Sequence, residues 1–223
     1  MSGREAILSR IRNSLGVDGA EAGRRAIVIS RLDGTPRGVI PKRGQLPQSE
    51  RLTLFCQMAE NVSATIAHVP TMNAVPEAVA SYLRDQNLPA ALRMGEDPVL
   101  NALPWNSPPQ IDITHGPSDG NDAVAVSHAV AGIAETGTLV LVSGPDNPTT
   151  LNFLPDTHIA VLSADDVVGD TESVWDMVRS RYGKGLMPRT LNMITGPSRS
   201  ADIEQTLLLG AHGPRRLHIV VVD

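Results

Sequence analysis

ETGTLVLVSGPDNPTTLNFLPDTHIAVL, residues 135–162, places two apolar runs, TLVLVS and HIAVL, on either side of a connection dense in fixed polar backbone. Runs of Val, Leu and Ile without strict alternation are what strands covered on both faces require. Between them, Pro145, Pro148 and Pro155 fix φ, while Asn147, Thr149, Thr150 and Asn152 offer side-chain hydrogen bonds. Such a connection suits pre-organised binding. It equally suits a turn that stabilises itself, with Thr149 or Thr150 capping a short turn at TLNFL.

Outward from this stretch the pattern alternates. A helix is expected near 49–61, then a strand at ATIAHV, a helix at VPEAVASYLRDQ, and strands at AALRM, IDITH and AVAVS. Beyond HIAVLS come a helix near 171–181, a strand at TLNMIT, a helix at SADIEQTLLLGA and a final strand at RLHIVVV. The expected fold class is α/β: one open, mostly parallel sheet flanked by helices. Near the N-terminus, Ser2 is placed to cap a helix carrying Ile7, Leu8, Ile11 and Leu15, with Gly16 as its stop. Pro36, Pro41, Pro47 and recurrent Gly make residues 17–48 read as an extended connection. The division is therefore 1–48, a helical arm and connection, and 49–223, the α/β domain.

Composition excludes several function classes. Of the 223 residues, 41% are hydrophobic but only 3% aromatic, so the core is aliphatic. A net charge of -5 offers no attraction to nucleic acid or to an anionic membrane. No apolar run reaches the ~20 residues of a bilayer span, and the N-terminus lacks the apolar segment of a signal peptide, so a cytoplasmic location is expected. One cysteine, Cys56, cannot form an internal disulfide or ligate an iron–sulfur cluster; on a helix beside Leu52, Phe55, Met58 and Ala59 it reads as a small core residue. No GxGxxG or GxxxxGK[ST] occurs, the six histidines lack metal-ligand spacing, and Ser198 lacks the G-x-S-x-G elbow. No cofactor and no metal are expected. His158 and His218 fall in strands and read as packing residues; His115 and His212, each beside Gly, approach the pocket only weakly.

Three segments combine Gly, Ser/Thr and a charged residue at a strand boundary: IAETGT (133–138), SGPDNPTTLNFLP (143–155) and TGPSRSADIE (195–204). Ligands in open α/β sheets collect at strand carboxyl ends, so the three are candidates for one pocket. In the last, Gly196-Pro197 makes a turn and Ser198 or Ser200 is placed to cap a helix, with Asp202 and Glu204 suiting its positive end. Arg199 beside that terminus forms an anion site, or is a surface Arg on a capped helix. Glu135, a lone carboxylate in an apolar stretch, is a candidate acid/base or nucleophile, or a structural acceptor of loop N–H groups. Thr136, Gly137 and Thr138 supply close backbone approach beside it, and Ser143 and Gly144 open the polar loop.

GIAETGTLVLVSGPDNPTTLNFLPDTHIAVL and MPRTLNMITGPSRSADIEQTLLLGAHGPRRLHIVVV together resemble the central and C-terminal signatures of the lactate utilization protein C family, the LUD-domain proteins. The resemblance covers residues 110–222 most strongly. It implies a layered α/β fold like that of the sugar-phosphate isomerase and CoA-transferase superfamily. It also implies a bacterial cytosolic protein that works with iron–sulfur partner subunits in oxidising L-lactate to pyruvate, itself carrying no redox group. It implies no catalytic residue, and Ser127-His128 stand where a Thr or another small polar residue is expected. On this reading the loops bind a small anion or a partner segment through Thr136, Gly137, Ser143, Gly144, Asn147, Ser198 and Arg199. Two alternatives stay open: a stand-alone enzyme on a carboxylate, thioester or sugar phosphate using Glu135, and a ligand-binding regulatory protein.

Overall fold

A computed structural model describes residues 2–107, 110–201 and 207–223, in two units, Met1–Val39 and Ile40–Asp223. In the first unit, α1 (Gly3–Leu15) begins with a reciprocal capping box between Ser2 and Glu5 and ends at left-handed Gly16. Residues 22–34 were expected to be extended but form α2 (Ala22–Gly34). The prolines that suggested a connection all lie beyond this helix and leave its backbone donors intact. Both helices keep apolar side chains exposed, among them Ile7, Ile11 and Leu15 on α1 and Ile27, Val28 and Leu32 on α2.

The second unit opens with α3 (Gln48–Asn61), β1 (Thr65–Val69), α4 (Val75–Asp85), β2 (Ala91–Met94), the single turn α5 (Pro98–Asn101), β3 (Asp112–His115) and β4 (Val124–His128). There follow β5 (Ala131–Ile133), β6 (Thr138–Val142), β7 (Thr157–Ser163), β8 (Val167–Val168), α6 (Thr171–Tyr182), β9 (Leu191–Ile194), β10 (Arg199–Ala201), β11 (Leu207–Leu209) and β12 (Arg216–Val222). Six strands form a parallel sheet in the order β1-β12-β7-β4-β2-β3. The chain is thus a mixed α/β protein with a parallel central sheet flanked by helices.

Two features differ from the expected single sheet. β8, β5, β6 and β9 make a second, mostly antiparallel sheet: a short turn folds β6 back on β5, and β9 returns antiparallel to β6 after the chain has passed through β7, β8 and α6. And where a helix was expected at SADIEQTLLLGA, the described residues Arg199–Ala201 (β10) and Leu207–Leu209 (β11) pair as antiparallel strands. Ser198 N–H donates to Pro214 O and Gly210 N–H to Ser198 O, tertiary bonds that hold the segment extended. The positions Asp202 and Glu204, expected in the first turn of that helix, lie outside the described residues.

Side-chain alternation on the central strands sorts the core into layers. Ile159 and Val161 of β7 and Val220 and Val222 of β12 face a cluster with Val75, Val79 and Leu83 of α4. The alternate residues, Ala160, Leu162, Leu217, Ile219 and Val221, pack with Phe55 and Ala59 of α3 and with Leu139 and Leu141 of β6. The far side of the second sheet, through Ile133 and Val140, meets Val174 and Val178 of α6.

Candidate functional site

The layer between the two sheets does not fill at the end where β7 and β12 begin. His158 and Leu217 are register neighbours there and point to the same face. Opposite them stand Met193 and Ile194 at the end of β9, then Gly196, Pro197, Ser198 and Arg199. Phe153, Asn152, His212, Gly213 and Pro214 complete a half-open cavity of about 270 Å³. It therefore lies at the amino ends of β7 and β12, not at the carboxyl edge where the α/β rule places ligands.

Two buried polar groups form part of its wall. His158 is 1% exposed, and neither ring nitrogen has a hydrogen-bond partner among the described residues; burial holds its pKa down to about 4, so it is a neutral imidazole at pH 7. Asn152, also 1% exposed, accepts at Oδ1 from Ser127 Oγ at 3.2 Å, leaving its Nδ2 amide without a partner among the described residues. At the exposed rim, Arg199 donates to Ser63 Oγ at 2.7 Å, which steadies one nitrogen and leaves the others without a partner among the described residues. Gly196, with φ +77, is required where it stands: a Cβ there would lie 2.5 Å from Val62 O.

The LUD domain family profile matches residues 52–222. The chain belongs to the LUD-domain family. Among its relatives, the protein called Lactate utilization protein C in Deinococcus radiodurans is 32% identical over 202 residues, 89% of this chain and 91% of that protein. Two Geobacillus proteins of the same name, from strain WCH70 and from G. thermodenitrificans NG80-2, are 40% and 37% identical over 102 and 121 residues. Those matches span only 42% and 50% of the Geobacillus proteins. The crystal structure of a DUF162 family protein from D. radiodurans shares the fold, with a TM-score of 0.59 over 80% of this chain and 99% of that one, at 23% identity.

Within this LUD domain the three loops do not close on one pocket. IAETGT is the hairpin turn from β5 to β6, and its Thr136 and Thr138 hydroxyls form a chain with that of Thr195, with Oγ1···Oγ1 distances of 2.7 and 2.6 Å, ending beside Gly196. Ser143 sits at the other end of β6, its Oγ accepting from Thr190 N–H at 2.9 Å. A five-residue strand holds these ends roughly 14 Å apart. Gly144 and Asn147 close a tight turn on each other, and Asn147 Nδ2 donates to Val142 O. Thr149 and Thr150 do lie in a short helical turn, Thr149–Asn152, but neither caps it; Thr150 Oγ1 instead accepts from Ser118 N–H at 3.0 Å. Of the candidate residues, Asn152, Gly196, Ser198 and Arg199 line the cavity. Glu135, Thr136, Gly137, Thr138, Ser143, Gly144, Asn147, Thr149 and Thr150 do not.

Glu135 is 6% exposed and faces the start of α6, where Thr171 N–H and Oγ1 approach Oε1 at 3.4 and 3.5 Å. A carboxylate at that helix end is a favourable match to the dipole. Its Oε2 is buried without a partner among the described residues. His158, His212 and Ser127 are what the residue-level reading undervalued. The signal for His158 was its place at the start of a strand directly after the polar loop.

Away from the cavity, His128 Nδ1 lies 3.3 Å from Asp97 Oδ2 at the carboxyl edge of the central sheet. Burial would raise the Asp97 carboxyl, but the His128 contact and the N–H groups of Leu100 and Val99 outweigh it and hold it below the ordinary value. Cys56 is half-buried, 3.8 Å from His68 Nε2, with its thiol pushed up to about 11 by burial and by Glu60. That position is unsuited to a nucleophile. Among the described residues no group of three or more His, Cys, Asp or Glu is arranged to hold a metal ion, and no helix is long and apolar enough to cross a membrane.

Proposed function

We propose that this chain is a non-redox component of a lactate-utilization system, acting with iron–sulfur partner proteins that oxidise L-lactate to pyruvate and binding a small anion in the cavity beside Arg199. The observation that carries this reading is the 32% identity to the D. radiodurans Lactate utilization protein C across 89% of this chain and 91% of that protein. The residues agree with such a division of labour. A chain with one cysteine has no thiolate set for a cluster, so electron transfer falls to partners. Arg199 supplies the one fixed charge among the described residues lining the cavity, and a positive charge there suits an anion.

The test is lactate-dependent dye reduction by anaerobically purified partner proteins, assembled with and without this chain. Activity should disappear on omission and return on addition. Equal activity without the chain would overturn the proposal.

A further inference from the structure

We infer that the cavity takes a monocarboxylate bearing a hydroxyl or keto oxygen on an apolar body, with Arg199 holding the carboxylate and Asn152 and His158 holding the neutral oxygen. The inference deepens the proposed function and rests on it only for the choice of L-lactate and pyruvate as first probes. Its basis is the pair of buried hydrogen-bonding side chains in the cavity wall that have groups without a partner among the described residues. A buried amide or imidazole without a partner is costly, so native structures satisfy nearly all such groups. Here two neighbouring side chains, Asn152 and His158, are both left unsatisfied, and both line the same cavity. Ser127 Oγ donates to Asn152 Oδ1, so Nδ2 is the side chain's remaining donor, buried and without a partner among the described residues. A neutral imidazole adds one donor and one acceptor. Donors alone suit a keto oxygen, and the donor with the acceptor suits a hydroxyl; neither arrangement suits a second anionic group, because the imidazole stays uncharged there.

Charge and shape narrow the class further. Among the described lining residues Arg199 is the one permanent charge and none is a carboxylate, so a monoanion is balanced there and a dianionic phosphate is not. The remaining wall is largely apolar, with Phe153, Met193, Ile194 and Leu217. At the ~30 Å³ that one water occupies in the liquid, 270 Å³ accommodates a ligand of several non-hydrogen atoms beyond its carboxylate. Lactate and pyruvate are the smallest members of this class, and a longer 2-hydroxy acid fills more of the apolar wall.

The experiment is calorimetric titration of the full chain with L-lactate, pyruvate, 2-hydroxyisocaproate, propionate, lactamide and inorganic phosphate, with the His158 ring followed by NMR. L-lactate or pyruvate should bind and shift the His158 resonances, and which of the two binds tighter distinguishes a hydroxyl from a keto site. Propionate, lacking the oxygen, and lactamide, lacking the charge, should each bind at least about tenfold more weakly, and 2-hydroxyisocaproate more tightly than lactate. Arg199→Gln should weaken lactate and pyruvate about tenfold or more while leaving lactamide unchanged. Asn152→Leu should lower lactate to the level of propionate without lowering propionate itself, a pattern that mere unfolding does not produce.

Propionate binding as well as lactate, phosphate displacing both, or no heat and no His158 shift through the millimolar range would each overturn the inference. Dye reduction that depends on the chain, without such binding, leaves the proposed function standing and removes this assignment. Binding without any effect of omission does the reverse.

Discussion

His158 and His218 are a matched pair on opposite faces of the central sheet. His218 stacks on Tyr82 with ring centroids 3.9 Å apart and contacts Thr65 Oγ1 at 2.8 Å, as a packing residue does. Burial holds both imidazoles down to about 4 from an ordinary 6.5. Between those values the unfolded chain binds protons that the folded chain refuses, so stability is full above about pH 6.5 and falls as the pH drops toward 4. Each histidine contributes up to about 3 kcal/mol to that loss at the 1.36 kcal/mol per unit of linkage. Urea midpoints measured from pH 8 to 4 should show the decline, and His218→Gln should flatten it; an unchanged slope would mean that His218 is not held neutral. For Glu135, the α6 contact predicts that Glu135→Gln costs about 1 kcal/mol in urea denaturation and leaves lactate-dependent dye reduction intact. Complete loss of turnover with retained stability would instead return Glu135 to a catalytic role. At this scale the sequence showed which residues are polar and where they fall, but not which of them remain unsatisfied. Asn152 and His158 became informative only once the neighbours that fail to reach them were in view.

Among the elements, those with a doubly covered apolar run or a capping pattern were legible: β7, β12, α4 and the capped α1 all lie where their residues place them. The β10–β11 hairpin was not, because its residues tolerate helix and the choice was made by Ser198, Gly210 and Pro214, contacts remote from local propensity. α2 was obscured by flanking prolines that lie outside it. The α6 start was legible to within a residue, and its Asp170 cap carries a testable weight. Asp170 accepts from Ser173 N–H at 2.9 Å and from Gln45 Nε2 at 2.8 Å, so Asp170→Ala should cost about 2 kcal/mol by urea denaturation, at the upper end for a helix cap. In the β5–β6 turn, Gly137 has φ +65, and a Cβ there would stand 2.3 Å from the Ala59 backbone nitrogen. Gly137→Ala should therefore destabilise the domain by about 3 kcal/mol or more, since both the backbone and α3 resist it.

Across the molecule, Phe55 joins the layers. It is fully buried among central-sheet residues such as Leu162 and second-sheet residues such as Leu139. Phe55→Ala should cost about 3–5 kcal/mol and weaken both sheets together. Trp105 packs on the α4 side and Trp175 on the α6 side, so fluorescence of single-tryptophan variants should report one shared transition. Separate midpoints would mean that the two sheets unfold independently. The layered α/β class was readable from the strand and helix rhythm, whereas the split into two sheets was not, because pairing partners are set by how loops fold back and the residues of β5 and β6 suit either arrangement. The order of the central sheet has a consequence for biosynthesis. Among the described residues β1 pairs with β12 alone, the strand of this sheet that comes latest in sequence, and β7 also leans on it. As the polypeptide emerges from the ribosome, β1 stays an unpaired edge while every other strand of the sheet is made. Only when Arg216–Val222 slides between β1 and β7 does the sheet become continuous, so nascent chains carry an open, sticky flank until this strand has been made.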